Sequence, residues 1–277
     1  MPEGPEIRRA ADSVEKALIG RTILDLSFAF EHLEGYENTL KGTKVERVDT
    51  KGKAMLIRLD NGFTIYSHNQ LYGKWYIRNA YNYPKTNRQL RLAIHNEKKS
   101  ALLYSASDIE VLRNEEVEDH PFIRKTGPDL LSETVTARDL YHRFQNQRFR
   151  KRKWTTLLLD QSFIAGIGNY LRSEILFVSG ISPFSRPADC TDQQLQKAAE
   201  ACMELVWRSY HHKGITTDLE LAGRLKEQGK KRSEYRHWVF NREGSPCRID
   251  GTEILKFRAA SRRCYYCPTC QKDPDGR

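Results

Sequence analysis

The sequence lacks the features that would place a protein in or beyond a membrane. No apolar run in its 277 residues approaches the roughly 18 residues that a membrane-spanning helix needs. No hydrophobic segment follows a basic start, as it would in a secretory signal. Repeats and low-complexity segments are absent, and a hydrophobic content of 39% is too high for a disordered chain. We therefore expect a globular protein of the cytoplasm that does not bind membranes.

Acidic residues are too few to balance the basic ones. The chain has 46 Lys and Arg residues against 36 Asp and Glu residues, which gives a net charge of +10. Residues 131–277 carry +9 of this excess and residues 1–130 only +1. A basic excess in one half indicates a polyanionic partner, most simply nucleic acid, although a solvated surface can have the same composition.

The length and the apolar pattern predict two domains of the α+β class. A chain of 277 residues is long enough for two cores. Apolar residues recur at helical spacing over residues 5–20 and then alternate with period two over residues 24–30. Asn61-Gly62 lies between two apolar runs and predicts a hairpin turn. Residues 2–125 should thus form one helix followed by an antiparallel β-sandwich or barrel.

Beyond residue 126 the apolar spacing becomes helical as far as residue 210 and strand-like again near the end. Thr191 precedes one of these helical stretches and predicts its N-cap. We assign four further segments by their composition: a linker (126–150), a helical domain (151–236), a hairpin that carries cysteines (237–272) and a disordered tail (273–277).

Four of the six cysteines lie close together in the C-terminal segment. Clustering of this kind in a cytoplasmic chain favours a metal site over disulfides. Cys267 and Cys270 form one Cys-x-x-Cys knuckle, whereas Asp250 stands where a second knuckle beginning at Cys247 would have its other cysteine. Zinc could be held by three thiolates and Asp250, or Cys264 could replace Asp250, or the hairpin could bind no metal.

The first residues suggest a nucleophile. If Met1 is removed, Pro2 exposes a secondary α-amine, whose pKa of about 7.7–8.0 leaves a useful fraction of it, roughly a tenth, neutral at pH 7. Such amines form iminium ions with aldehydes, and the neighbouring Glu3 could transfer protons. The same residues also suit an ordinary lead-in to a helix.

Seven short segments are spread in order over nearly the whole chain: MPEGPEI (1–7), KGKA (51–54), YSHNQLYG (66–73), GPD (127–129), LDQ (159–161), GIGNYLR (166–172) and CPTCQ (267–271). Together they resemble the formamidopyrimidine-DNA glycosylase/endonuclease VIII family. The first and third segments resemble its endonuclease VIII branch more than its oxidised-purine branch.

The resemblance implies a bifunctional DNA glycosylase and apurinic/apyrimidinic (AP) lyase that removes oxidised pyrimidines in base excision repair. By the resemblance Pro2 would be the nucleophile and Glu3 the acid/base, with Glu6 as a supporting carboxylate. Lys53 and Arg262 would hold the phosphates beside the lesion. β- and δ-elimination would then cut the strand on both sides of the lesion.

The resemblance also implies the DNA contacts and the fold. Gln70, Leu71 and Tyr72 would fill the gap left by the extruded base, while Asn169 and Arg263 would bind the backbone. The helical domain would be a helix–two-turn–helix DNA-binding domain, followed by a β-hairpin zinc finger with one structural Zn²⁺. The protein would act as a monomer on damaged DNA, in the bacterial cytoplasm and at the nucleoid when bound. The basic run 143–153 would add phosphate contacts.

Three other functions fit parts of the sequence. An oxidised-purine glycosylase of the same family would share the fold and the lyase chemistry. A non-catalytic damaged-DNA-binding protein would not need Pro2, Glu3 and Lys53 together. An RNA-binding ribbon protein would suit the charge but not the N-terminal half.

Overall fold

The computed structural model describes residues 2–259 and 261–272. It divides the chain into two compact units, Met1–Lys125 and Thr126–Arg277. The tail predicted to be disordered (273–277) lies outside the described residues. Within the residues that are described, no helix is both long enough and apolar enough to cross a membrane.

The first unit begins with a helix, continues with strands and ends with a short helix. In chain order its elements are α1 (Gly4–Leu18), β1 (Asp25–Phe28), α2 (Glu31–Glu34), α3 (Glu37–Leu40), β2 (Val45–Lys51), β3 (Ala54–Leu59), β4 (Phe63–His68), β5 (Lys74–Asn79), β6 (Leu90–His95), β7 (Lys99–Tyr104), β8 (Asp108–Arg113) and α4 (Pro121–Lys125).

The strands form two antiparallel sheets, in the orders β2-β3-β4-β8 and β1-β6-β7-β5. Apolar residues of both sheets, such as Ile57 and Leu103, share one buried core with Val14 of α1. Burying both inner faces and one helix face against each other is what stabilises such a sandwich. The predicted helix followed by a β-sandwich is confirmed.

Two connections between the sheets, from β4 to β5 and from β7 to β8, lie at one end of this sandwich. In the first sheet Ala54 pairs with both Lys51 and His68, next to the turn that joins β2 to β3. In the second sheet Tyr104 pairs with both Lys74 and Leu90. The β4–β5 loop (69–73) runs from the end of the first sheet to the end of the second.

The second unit is helical and ends in a hairpin. Its elements are α5 (Ala137–Gln145), α6 (Trp154–Leu157), α7 (Asn169–Val178), α8 (Asp192–His211), α9 (Leu219–Glu227), α10 (Arg232–Tyr235), β9 (Leu255–Ala259) and β10 (Arg262–Tyr266). Thr191 caps α8 as predicted, because its hydroxyl accepts a hydrogen bond from the Gln194 backbone N–H.

The segment 126–150 is not a linker. It contains α5, whose Leu140 and Phe144 are fully buried in the same core as Leu171 of α7 and Leu205 of α8. The linker assignment was wrong because it relied on the high charge of the segment. Its few apolar residues lie on the buried face of a short helix.

Candidate functional site

Pro2 and Glu3 directly precede α1. Glu3 is the N-cap, and its backbone N–H donates to Glu6 Oε2 at 3.1 Å while its carbonyl accepts from Ile7 N at 3.1 Å. The other carboxylate oxygen of Glu6 accepts from Arg9 at 2.9 Å. Glu6 therefore fixes the backbone that presents Glu3, and the Glu3 residue itself is only 2% exposed.

Lys53 lies in the tight turn between β2 and β3. The preceding Gly52 has φ 59°, a left-handed conformation that glycine adopts without strain. Because Ala54 pairs with His68, this turn lies beside the start of the β4–β5 loop. Lys53 is buried, with 7% exposure, which is unusual for a lysine.

The β4–β5 loop exposes two large apolar side chains at its tip. Leu71 is 57% and Tyr72 69% exposed, although the backbone around them is tightly turned. Gly73 N donates to Asn69 O at 2.7 Å, and a Cβ on Gly73 would lie 2.6 Å from the Asn69 backbone. Only glycine fits there, so the loop is shaped to present Leu71 and Tyr72.

Gln70 fixes the same loop through its backbone and through its side chain. Its backbone is left-handed (φ 47°), and its N–H donates to His68 Nδ1 at 3.1 Å. Its side-chain oxygen accepts from the Ser107 hydroxyl at 3.0 Å. The pKa of His68 is lowered, chiefly by burial and secondarily by Lys53, while Asp108 opposes the shift. A neutral ring is what the acceptor role of Nδ1 requires.

In the second unit, Arg172 joins two of the predicted DNA-binding residues. It is fully buried on α7. Its Nη2 donates to Asn169 Oδ1 and to the Arg263 carbonyl, both at 2.9 Å, and its Nη1 donates to Thr155 O at 3.1 Å. The start of α7 and the strand β10 are therefore fixed to each other. The sequence contained Arg172 in a motif but gave no sign of this bridging role.

The hairpin tip presents the predicted arginines to the surface. Arg262 and Arg263 are exposed at the start of β10, after Ser261, whose backbone is left-handed (φ 62°). They pair with Ala259 and Arg258 on β9. Several guanidinium groups thus lie close together at the tip, an arrangement suited to polyanions.

A buried carboxylate, which the sequence analysis missed, anchors the segment that leads into the hairpin. Glu174 on α7 is fully buried and accepts backbone hydrogen bonds from Trp238, Val239 and Phe240 at 2.8–2.9 Å. It also accepts a bond from the Thr216 hydroxyl at 2.5 Å. Burial raises the pKa of Glu174, and these hydrogen bonds oppose the increase.

Part of the basic run 143–153 is structural. Arg143 donates to the carbonyls of Ser162, at 2.7 Å, and of Phe163, and burial lowers its pKa. Arg152 pairs with Asp160 at 2.7 Å. Both cations thus have partners within the second unit, although the Arg152 side chain remains 38% exposed.

Three cysteines and one aspartate of the hairpin form a compact cluster. The ligand atoms of Cys247, Asp250, Cys267 and Cys270 all lie within 4.8 Å of one another. The sulfurs of Cys247 and Cys270 are 3.8 Å apart, and Asp250 Oδ2 is 3.2 Å from the Cys270 sulfur and 3.4 Å from that of Cys267. A tetrahedral zinc with Zn–S bonds of about 2.3 Å and Zn–O bonds of about 2.0 Å would separate its ligands by about 3.5–3.8 Å. The residues therefore fit zinc.

Cys264 does not belong to this cluster. It is fully buried on β10, and its sulfur lies 3.9 Å from the hydroxyl of Ser173 on α7. Burial raises its pKa. The prediction that Cys264 could replace Asp250 as a zinc ligand was therefore wrong. Side chains alternate along β10, and that of Cys264 faces α7.

Comparison with known families agrees with both units. The sequence profile of the formamidopyrimidine-DNA glycosylase N-terminal domain matches residues 1–107, and that of the formamidopyrimidine-DNA glycosylase H2TH domain matches residues 126–220.

Curated relatives match over nearly the whole chain. Endonuclease 8 of Klebsiella pneumoniae (strain 342) is 44% identical over 271 residues, which cover 98% of this chain and 100% of the relative. Endonuclease 8 of Enterobacter sp. (strain 638) is 42% identical over 272 residues, with the same coverage.

Solved structures share the fold. Lactococcus lactis formamidopyrimidine-DNA glycosylase, bound non-covalently to DNA with an AP site, superposes with a TM-score of 0.80 at 19% identity, covering 98% of this chain and 100% of that one. The same enzyme in complex with DNA that contains an oxidised pyrimidine gives 0.81 at 20% identity, with equal coverage.

Proposed function

Since the chain belongs to the formamidopyrimidine-DNA glycosylase family and is a DNA glycosylase and AP lyase of base excision repair, we propose that it removes oxidised pyrimidines and that Pro2 is its nucleophile. The observation that carries this proposal is the position of Pro2 directly before the buried Glu3 at the N-terminus of α1. The endonuclease 8 relatives, at 42–44% identity, support the pyrimidine branch.

The proposed chemistry begins with removal of Met1, which exposes the Pro2 amine. The positive end of the α1 dipole disfavours a proton on that amine and favours the carboxylate of Glu3. The Pro2 nitrogen attacks C1′ of the lesion nucleotide, and the damaged base leaves with the electron pair of the glycosidic bond. The carboxylate of Glu3 takes the proton that the Pro2 nitrogen loses after the attack and then gives it to the ring oxygen as the C1′–O4′ bond breaks, while the lone pair of the nitrogen forms an iminium ion with C1′.

The iminium ion makes strand cleavage possible. It withdraws electrons from C1′, so the C2′ proton becomes acidic and its loss expels the 3′ phosphate. Loss of the C4′ proton then expels the 5′ phosphate, which leaves a one-nucleotide gap. Water hydrolyses the remaining imine and restores the Pro2 amine. Lys53 stabilises the phosphate beside the lesion, as its ammonium group suits a developing negative charge.

The β4–β5 loop serves extrusion of the lesion nucleotide. A base inside a duplex is out of reach of any nucleophile, and removing it from the stack costs a few kcal/mol. The exposed Leu71 and Tyr72, with Gln70 at their base, would enter the gap and replace the lost stacking. Their exposure is explained if DNA covers them in the complex.

The second unit contributes backbone contacts and a structural metal. We assign Asn169, Arg262 and Arg263 to phosphates, since an amide at a helix start and exposed guanidinium groups suit that partner. Cys247, Asp250, Cys267 and Cys270 would hold one Zn²⁺ per chain, which would stabilise the hairpin and take no part in the reaction. We further place the protein as a monomer in the bacterial cytoplasm and, on damaged DNA, at the nucleoid.

The substrate class is tested by strand cleavage across a panel of duplexes. Each duplex carries one lesion: thymine glycol, dihydrouracil, 8-oxoguanine or a formamidopyrimidine. We expect the two pyrimidine lesions to be excised faster, with products that end in phosphate on both sides of the gap. Faster excision of the purine lesions would instead assign the protein to the oxidised-purine branch, and no excision of any lesion would refute the proposed function.

A further inference from the structure

An open polar depression lies beside the tip of the β4–β5 loop. Its volume is about 690 Å³, and Tyr72 forms one wall. The other walls come from the segment 86–91, which leads into β6, and from Ser105, just after β7. We call it the Arg88 depression.

Lys53 and the Arg88 depression lie beside the two ends of the β4–β5 loop. Lys53 belongs to the turn of the first sheet, beside the start of the loop at His68. The depression belongs to the end of the second sheet, beside the end of the loop at Lys74. If Lys53 holds the strand that carries the lesion, the depression faces the other strand.

The walls of the depression are fixed in place. Arg88 Nη1 donates to the Tyr72 carbonyl, so the segment 86–91 is tied to the loop tip. The Gln89 side chain accepts from Arg91, and its backbone carbonyl accepts from Ser105 N at 2.8 Å. Ser105 has the left-handed backbone (φ 56°) that brings it to the rim.

Two hydrogen-bonding side chains remain available at the rim. Asn87 is exposed, and its side chain makes no hydrogen bond to any other residue that the structure describes. Among those same residues, the guanidinium group of Arg88 bonds only through Nη1, so its other donors are unused. An amide that both donates and accepts, next to a guanidinium group, matches the edges of purine bases.

We propose that the Arg88 depression binds the unpaired purine of the complementary strand after the lesion has been extruded. Tyr72 would enter the stack, and the orphaned base would turn toward Asn87 and Arg88 as its partner leaves. The inference rests on the proposed function, because a pyrimidine lesion leaves a purine opposite it. It adds a site on the second strand to the contacts on the damaged one.

The proposal is tested by binding, which needs no catalysis. Fluorescence anisotropy gives the dissociation constants for duplexes with a tetrahydrofuran abasic analogue opposite guanine, adenine, cytosine, thymine or a second analogue. We expect either purine to bind about fivefold or more tightly than the duplex with no opposite base, the lower end of what one good base contact contributes. Asn87→Ala should reduce this difference to less than about twofold.

Lys85→Ala is the matched control, because Lys85 is an exposed cation directly before the segment 86–91 and does not line the depression. It should keep the preference for a purine. Equal affinities for all opposite bases would overturn the proposal. A loss of affinity on Asn87→Ala that is the same for every opposite base would also overturn it, because it would indicate a phosphate contact. Excision of thymine glycol is measured with the same protein, so failure of the proposed function is recognised separately.

Discussion

The backbone of Glu3 has a structural role at the start of α1, whereas its side chain has the proposed chemical role. The backbone caps α1 and is fixed by Glu6, whereas the buried carboxyl group lies next to Pro2 in the sequence. A change confined to the carboxyl group therefore tests its chemistry and leaves the cap in place.

Glu3→Gln should slow excision of an oxidised pyrimidine by about 10²–10⁴-fold, the usual contribution of a general acid or base. Cleavage at a pre-formed abasic site should be less affected, because base release is bypassed there. Single-turnover cleavage of the two substrates measures both rates, and Glu6→Gln serves as a control for the cap. An equal loss on both substrates would show that Glu3 serves only the elimination steps or folding.

His68 provides a pH test at the β4–β5 loop. Burial lowers its pKa from 6.5, and the neutral Nδ1 accepts from Gln70 N. The native state therefore gains stability from the neutral ring above pH 6.5, and this gain is lost as the pH falls from 6.5 toward the lowered pKa. NMR titration of the ring should give a value below 6.5, and Asp108→Asn should lower it further, since Asp108 raises it. Titration at or above 6.5 would contradict this.

Sequence patterns identified residues whose chemistry is local and missed those whose roles depend on the fold. Asp250 and Cys267 could be predicted because knuckle spacing is a property of a short segment. The bridging role of Arg172 could not, since its partner Arg263 lies 91 residues away in the chain. Cys264 was misassigned for the same reason, as only the pairing of β10 fixes the direction of its side chain.

At the scale of elements, α7 organises the second unit. Its first turn carries Asn169, its middle carries Arg172 and Glu174, and all of these except Asn169 are fully buried. One helix thus fixes the predicted phosphate ligands and the segment before the hairpin. Rigid supports of this kind keep ligand groups in position before the DNA arrives.

Arg172→Lys should weaken binding to a duplex with an abasic analogue by about tenfold or more. A lysine keeps the charge but cannot bond Asn169 and the Arg263 carbonyl together, and one hydrogen bond of a charged group contributes about 1.5 kcal/mol or more. Arg224→Lys, on the exposed face of α9, is the matched control. Unchanged affinity of a folded Arg172→Lys protein would show that the bridge does not position these ligands.

The hairpin should contain one zinc per chain when the protein is purified without chelator. Cys267→Ser should lose the metal, because a neutral hydroxyl replaces a thiolate. Asp250→Cys should hold zinc more tightly against a competing chelator, since thiolate suits zinc better than carboxylate. Elemental analysis and chelator competition measure both effects. The absence of zinc from the unaltered protein would refute the site.

Elements with strong periodicity were predicted, whereas short, polar ones were not. The hairpin of β3 and β4 follows from Asn61-Gly62, and Gly62 has the left-handed backbone (φ 81°) that such a turn favours. Helix α9 was missed because it buries only Ala222 and so has little apolar periodicity. The apolar alternation over residues 24–30 predicts a longer strand than β1, which covers only Asp25–Phe28. Leu24 before it is 44% exposed, and Phe30 after it is the N-cap of α2.

At the scale of the whole molecule, the uneven charge matches the division into two units. The near-neutral half contains Pro2, Glu3 and Lys53, and the basic half contains the exposed arginines of the hairpin. Composition indicated the polyanionic partner but not which cations already have partners in the fold: Arg143 donates to two backbone carbonyls and Arg152 pairs with Asp160. Only the structure separates cations that hold the fold together from those at the surface.

The central claim is that the Pro2 amine forms the covalent intermediate. Its direct test is borohydride reduction during reaction with a duplex that contains an abasic site, followed by mass spectrometry of the cross-linked peptide. We predict a protein that has lost Met1, with the reduced sugar attached to the Pro2 nitrogen, and no cross-link when an uncleavable segment keeps that nitrogen in a peptide bond. A cross-link on a lysine, or trapping that persists with the Pro2 nitrogen blocked, would contradict the mechanism.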